Sequence, residues 1–382
     1  MKTIQLDRQN THQTPNVRKA EELLAHTDIQ LNGDRPWDIQ VHNPEFYQRV
    51  LSGGSIALGE SYMDGWWDCE APDQFFHKLI MARLDSKVIP LSWKINILKT
   101  KILNMQTKLK SRKSVEKHYE FSTDLFISFL DPYNQYTCAY FNDTDDLDIA
   151  QEKKLELICR KLMLSPKDKV LDIGCGWGGF AKFAAERYQC HVTGLTISDK
   201  QLEYAKKICD GLPVTIIKSD YRDYKGTHDK VLVCGMIEHV GYKNYKTLMQ
   251  TVNHCLKEEG LFLLQTIGNN ISVTTTDPWS NKYIFQNAVI PSAKDITTAA
   301  EGLFVLNDWH SFGAFYDKTL MAWHRNFKKN WNSIKDSYDD RFYRMWTFYL
   351  LSCAGSFRSN KSQLWQIVFS KRERKAGYQS IR

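Results

Sequence analysis

Short apolar runs alternate with helix-spaced segments over the later part of the chain. "KVLDI" (169–173), "HVTGLT" (191–196), "PVTII" (213–217), "KVLVC" (230–234) and "LFLLQT" (261–266) are bounded by turns and separated by helical stretches. Strands that alternate with helices predict a parallel sheet covered on its faces. Residues 1 to about 90 read differently. "NVRKAEELLAHT" and "CEAPDQFFHKLIMARLD" have helical spacing, and between them "IALGESYMDGWWDCE" is turn-rich and aromatic, offering Trp66 and Trp67 as core residues or interfacial anchors. Between the two regions, Leu98, Ile102, Met105 and Leu109 recur at spacings of four, three and four, an apolar stripe if the segment is helical. The pattern thus divides the chain into a helical unit (1–92), an amphipathic linker (93–117) and an α/β domain (118–382).

Composition supports more than one unit, since 382 residues with 42% hydrophobic content exceed what a single core usually holds. Nine cysteines, an odd number with several inside apolar runs, and no secretory h-region predict reduced thiols in a cytoplasmic protein. No CxxC pair or His/Cys cluster at zinc spacing points to a metal. No apolar stretch reaches the roughly 18 to 20 residues that span a bilayer, so membrane contact would be peripheral. The net charge is +7, and its distribution matters more than its size. From Lys94 to Lys117 the basic residues are Lys94, Lys99, Lys101, Lys108, Lys110, Arg112, Lys113 and Lys117, with Glu116 the only acid; "KRERK" follows at 371–375. Beside the apolar stripe, this charge suits an anionic lipid surface or, alternatively, a linker helix packed on its own protein. No groove-reading motif accompanies it, so nucleic acid is not expected as a partner.

Candidate chemistry sits at the carboxyl ends of the predicted strands, where open α/β sheets bind ligands. After the first strand comes "VLDIGCGWGG", with Asp172, Gly174, Gly176, Gly178 and Gly179. Glycines there allow a tight turn and close backbone approach to a ligand. The preceding acid makes this D-x-G-x-G-x-G turn look more like an S-adenosylmethionine (AdoMet) signature than a dinucleotide fingerprint. The second strand runs into "GLTISDKQ", where Thr196 and Gln201 are polar candidates for the cofactor or, alternatively, part of the next helix start. After the third, Asp220 of "SDYRDY" can accept from an adenine amino group while Tyr221 flanks the ring. The fourth strand ends in "CGMIEHVG" (234–241), which aims Glu238 into the cleft; His239 either orients it, lines the cofactor pocket or is structural.

"VLDIGCGWGG", "GLTISDKQ", "DYRD", "GMIEHVG", "DPWSNKYIF" and "LSCAGSFRS", in this order after "LGESYMDGWWD", resemble the bacterial cyclopropane-fatty-acyl-phospholipid synthases from about residue 20 to 370. The related mycolic-acid methyltransferases share the core but lack such an N-terminal unit. The resemblance implies a class I AdoMet-dependent methyltransferase fold, a Rossmann-like α/β sheet with helical lid insertions, beside a small, mostly helical N-terminal domain. It implies methylene transfer to the cis double bond of an unsaturated phospholipid acyl chain, with a bound bicarbonate ion as base. The ion's holders correspond to Cys138, Glu238, Ile267 and Tyr316, and Tyr136 and Thr137 join the cofactor residues. Relatives often carry histidine where Gln265 stands; glutamine can donate a hydrogen bond to bicarbonate but cannot shuttle a proton. Cys353 matches a position often assigned to the site, although the chemistry needs no thiol and packing explains it as well. Aromatic faces from Tyr136, Tyr140, Phe141, Trp279, Tyr283, Phe285, Phe312 and Tyr316 are available to stabilise a carbocation. A homodimer resting on the inner face of the cell membrane is the expected setting. Olefin methylation without ring closure, methylation of a small-molecule amine, and a lipid-binding protein without turnover are the competing readings.

Overall fold

The computed structural model describes residues 14–84, 97, 100, 104–108 and 121–382. Of the basic stripe, only Lys108 falls among them; Lys94, Lys99, Lys101, Lys110, Arg112, Lys113 and Lys117 lie outside the described residues, as do Leu98, Ile102 and Leu109.

In the N-terminal part, α1 (Pro15–Leu24) starts where the Thr14 hydroxyl accepts from the Val17 N–H, with proline in the first turn. A two-stranded antiparallel pair, β1 (Gln40–Val41) and β2 (Trp67–Asp68), brackets α2 (Phe46–Met63), and α3 (Pro72–Met81) follows. The segment expected to be turns from Ile56 onward is instead the second half of α2. Just before that stretch Gly54, at φ 62°, kinks the helix, which then resumes. Trp67 is fully buried and its indole N–H donates to the Leu58 carbonyl (3.1 Å) and the Ser61 hydroxyl (3.2 Å). It is a core residue and cannot serve as an interfacial anchor. Trp66 is half-buried with the Arg49 guanidinium 4.4 Å over its ring.

The larger part begins with α4 (Thr123–Phe129) and α5 (Leu147–Lys161), then alternates: β3 (Lys169–Ile173), α6 (Gly179–Tyr188), β4 (His191–Thr196), α7 (Asp199–Ile208), β5 (Val214–Lys218), β6 (His228–Cys234), α8 (Tyr245–Cys255) and β7 (Leu256–Asn269). After it come α9 (Pro278–Tyr283), α10 (Ala293–Ala300), β8 (Val305–Ser311), α11 (Ala314–Ile334), α12 (Asp340–Arg358) and β9 (Ser362–Ser370). All five predicted strands exist, and their sheet has the order β5-β4-β3-β6-β7-β9-β8. β3 to β7 are parallel, but β9 runs antiparallel between β7 and β8, so the sheet is mixed. Order reverses between β3 and β6, the switch point at which such sheets open a crevice.

Residues 14–84 have no separate core. Phe46, Trp67, Phe75 and Phe76 belong to the same buried cluster as Phe126, Trp346 and Phe348. Ionic contacts reinforce the join: Arg341 pairs with Asp64 (3.0 Å), Arg344 with Asp68 (2.8 Å) and Lys282 with Glu60 (2.6 Å). Among the described residues no helix is long and apolar enough to cross a membrane, and no group of His, Cys, Asp and Glu is arranged to hold a metal ion.

Candidate active site

The turn after β3 carries the glycines in left-handed conformations: φ is 81° at Gly174, 54° at Gly176 and 85° at Gly178. Two successive N–H groups, Gly174 and Cys175, donate to the Leu195 carbonyl (both 2.9 Å), which fixes the turn against β4. A Cβ at Gly176 would meet no protein atom within 4 Å. Backbone there faces open space, which fits a cofactor lying across the turn. Asp172, one turn earlier, is buried, and burial pushes its carboxyl up to about 7 against the pull of Lys154.

Around the crevice the polar candidates have local duties. The Thr196 hydroxyl donates to Gln201 Oε1 (2.9 Å) and accepts from the Ser198 N–H (3.2 Å), while Ser198 caps α7. Asp220 takes a two-point grip from Arg222 (2.7 and 2.6 Å), and the Tyr221 hydroxyl is buried without a hydrogen-bond partner. Asp220 keeps lone pairs free, so an adenine contact is chemically open to it.

Glu238 lies in a short 3₁₀ turn, Ile237–His239, just past β6. Its side chain is only 6% exposed as a residue. Oε1 accepts from the Ile267 N–H at 2.8 Å, so that main-chain group serves the carboxylate; Oε2 is buried without a partner. Burial pushes the carboxyl up to about 7, with the main chain at Glu238 and Ile267 and the nearby Thr266 hydroxyl, which itself donates to the Ile267 carbonyl (2.8 Å), acting in the opposite direction. Gln265, two strand positions before Ile267 and so on the same face of β7, is fully buried; its Oε1 accepts from Gln366 Nε2 (2.8 Å) and its own Nε2 has no partner. Buried polar atoms are normally paired. Glu238 Oε2 is thus an orphan acceptor and Gln265 Nε2 an orphan donor, each open to a polar partner.

Tyr316, Cys138, Tyr136, Glu238 and Cys353 gather close enough to influence one another electrostatically, with burial first and these neighbours next in pushing the Tyr316 phenol well above its usual range. The Tyr136 hydroxyl meets the Tyr349 hydroxyl at 2.8 Å, and its ring packs on Trp323. His239 sets its ring edge against Phe285, and burial lowers it to about 4, so it is a neutral wall residue. Trp279 and Tyr283 face the N-terminal part instead: the Trp279 indole donates to Met63 Sδ (3.3 Å) and Tyr283 to Glu60 (2.9 Å). Burial drives the Cys353 thiol up to about 12, so it is not a nucleophile near neutral pH. Cys353→Ser should keep activity within about threefold of wild type; a loss beyond a hundredfold in a steady-state assay would return the thiol to the chemistry.

Three site residues escaped the sequence reading. Gln151 and Lys154, both fully buried on α5, hold the segment 135–138 that carries Tyr136, Thr137 and Cys138. Thr319 of α11 accepts from the Ala139 N–H (3.1 Å) and donates to the Phe315 carbonyl (2.8 Å), which sets its hydroxyl 3.9 Å from Cys138 Sγ. The one available signal was polar residues, Gln151, Lys154 and Lys161, recurring on the face of α5 that also carries Leu155 and Ile158.

A seven-stranded sheet of this order, with a glycine turn after β3 and an acid past β6, defines a class I AdoMet-dependent methyltransferase. The model of the mycolic acid cyclopropane synthetase family matches residues 106–367, and the chain belongs to that family. It is 49% identical over 356 residues to the cyclopropane-fatty-acyl-phospholipid synthase of Escherichia coli strain K12, covering 93% of each chain. Among solved structures, the cyclopropane synthase MmaA2 of Mycobacterium tuberculosis superposes with a TM-score of 0.65 at 25% identity, over 70% of this chain and all of that one. The mycolic acid cyclopropane synthase CmaA1 in complex with SAH and CTAB gives 0.63 at 27%, over 68% of this chain and 98% of that one.

Proposed function

We propose that this enzyme transfers a methylene group from AdoMet to the cis double bond of unsaturated phospholipid acyl chains and closes a cyclopropane ring, using bicarbonate as base. The observation that carries the reading is the pair of orphaned buried atoms, Glu238 Oε2 and Gln265 Nε2, beside an aromatic wall. Likeness to the Escherichia coli synthase over 93% of both chains supports the phospholipid substrate, because the mycolic-acid enzymes cover only about 70% of this chain.

When bound, AdoMet supplies an electrophilic methyl and bicarbonate a base for the proton lost on ring closure. The chain's own residues do the rest. Gly176 lets the backbone approach the cofactor, Gly174 and Gly178 make room in the same turn for Met236 and Ala205, and Asp172 offers a carboxylate to the cofactor's ammonium. Glu238, its Oε1 fixed by Ile267, leaves Oε2 to take a proton from the base; it can do so only while ionised, so the rate should rise with pH through about 7. Gln265 Nε2, the unpartnered donor on β7, would hold the bicarbonate by a hydrogen bond. Tyr136 and Tyr316 keep water from a cation that water would capture, and their ring faces favour positive charge.

Surface contact is assigned to residues 1–92 and the stripe from Lys94 to Lys117, with the enzyme cytoplasmic, peripheral to the membrane and dimeric. Lys108 pairs with Asp223 at the surface, so the variant tested takes the three basic residues that follow it. Incubation with methyl-labelled AdoMet and vesicles of unsaturated anionic phospholipid should place label in the acyl chains; label confined to water-soluble products would contradict the lipid substrate. Replacing Lys110, Arg112 and Lys113 by Gln should weaken vesicle binding about a hundredfold at low salt, at about 1 kcal/mol per charge, and less at high salt. Unchanged co-sedimentation with a lowered melting temperature would make the stripe an internal packing element.

A further inference from the structure

Helix α5 buries polar groups where its pattern calls for apolar ones. Gln151 Nε2 donates to the Gln135 and Thr137 carbonyls (3.2 and 2.9 Å), and Lys154 Nζ donates to the Thr137 hydroxyl (3.0 Å) and to Gln135 Oε1. Both residues are 0% exposed. Opposite them, Asp131 accepts from the Tyr133 and Gln135 N–H groups (2.9 and 2.8 Å) and starts the same segment. The charged or titratable groups facing the Lys154 ammonium are Asp131 and Cys138 from this segment, Asp172 from β3 and Cys234 from β6. A buried lysine with two buried acids is costly to keep, and hydrophobic residues of similar size would do for packing alone.

We propose that Lys154 is a positioning residue for the cofactor: it holds Thr137 and the 135–138 segment in place and sets its ammonium beside Asp172, the acid that would receive the cofactor's ammonium. The proposal rests on the reading of this crevice as the AdoMet site. Lys154 touches neither the methyl nor the alkene, and it acts through Thr137 and Asp172. Asp172 is already pushed up to about 7 with Lys154 opposing the shift; without the cation it holds its proton to higher pH, and a neutral acid loses its attraction for an ammonium group.

The test is AdoMet affinity by calorimetry from pH 6 to pH 9 for wild type, Lys154→Met and Lys154→Arg, beside a melting curve for each. Lys154→Met should bind at least about tenfold more weakly at pH 6.5, and the midpoint at which its affinity recovers should lie about one unit or more above that of wild type. Lys154→Arg, which keeps the charge, should retain the wild-type midpoint. Affinity of Lys154→Met within twofold of wild type, or a loss with no movement of the midpoint, overturns the proposal. If Lys154→Met does not fold, Thr137→Val carries the test from the other side: it removes the hydroxyl but neither charge, and should cost about threefold or more at every pH, whereas unchanged affinity refutes the arrangement. A wild type that binds AdoMet yet leaves unsaturated lipid untouched would sink the lipid reading and leave the Lys154 assignment intact.

Discussion

Glu238→Gln should lower turnover about a thousandfold at pH 7.5 while AdoMet affinity stays within about threefold, the scale expected when a proton-handling group is lost from an otherwise intact site. Gln keeps an oxygen for the Ile267 N–H but cannot take a proton from the base. The same substitution should stabilise the fold in alkaline solution. The folded-state value, about 7, lies above the ordinary glutamate value of 4.5, so the fold favours the protonated form. Its contribution is fully present below pH 4.5 and is lost as pH rises to about 7. A shift of this size is worth roughly 3 kcal/mol, which a permanently neutral Gln does not forfeit. The variant should therefore melt a few degrees above wild type at pH 8 and level with it below pH 5. Near-wild-type turnover, or a melting difference that does not change with pH, would remove Glu238 from the mechanism.

Gly176→Val should weaken AdoMet binding by at least a hundredfold. Two effects contribute. A β-branched residue at φ 54° is strained by about 1–2 kcal/mol or more, and its side chain enters space that no protein atom occupies. Gly176→Asn separates them, since asparagine tolerates the left-handed region. If the space belongs to the cofactor, the Asn variant should melt within about 2 °C of wild type and still lose at least tenfold in affinity by calorimetry. Wild-type affinity in the Asn variant would mean that only strain matters and that the cofactor lies elsewhere.

What the sequence made legible was whatever announces itself locally. Largely buried strands read as short apolar runs, so β3, β4, β6 and β7 were found, while the edge strand β5 showed itself by its β-branched run Val214–Ile217, and a glycine turn after a strand marks a ligand crevice whatever the rest of the chain does. β8, "VLNDWHS", carries polar residues at several positions and borders the sheet, so its pattern is weak. β9 pairs with β7 only after some ninety residues of intervening chain, a partner that no local pattern reveals. Trp67 could be core or interface until its neighbours were placed, and burial against Phe75 and Tyr62 decides for the core. Lys154 was invisible for a related reason. A lysine on a helix reads as solvent-facing, and only the approach of Thr137, Asp131 and Asp172 from other elements makes burial tolerable. Glu238 was accessible because its place past a strand end follows from topology, whereas its orphaned oxygen appears only in three dimensions.

The central claim is ring closure on an acyl double bond, and the most direct measurement is on the product. Unsaturated phospholipid vesicles are incubated with enzyme and AdoMet, and the released acyl chains are weighed by mass spectrometry before and after catalytic hydrogenation under conditions that saturate only olefins. The account expects chains heavier by one methylene that take up no hydrogen. Chains of that added mass that still take up hydrogen would be methylated olefins, and they would contradict ring closure.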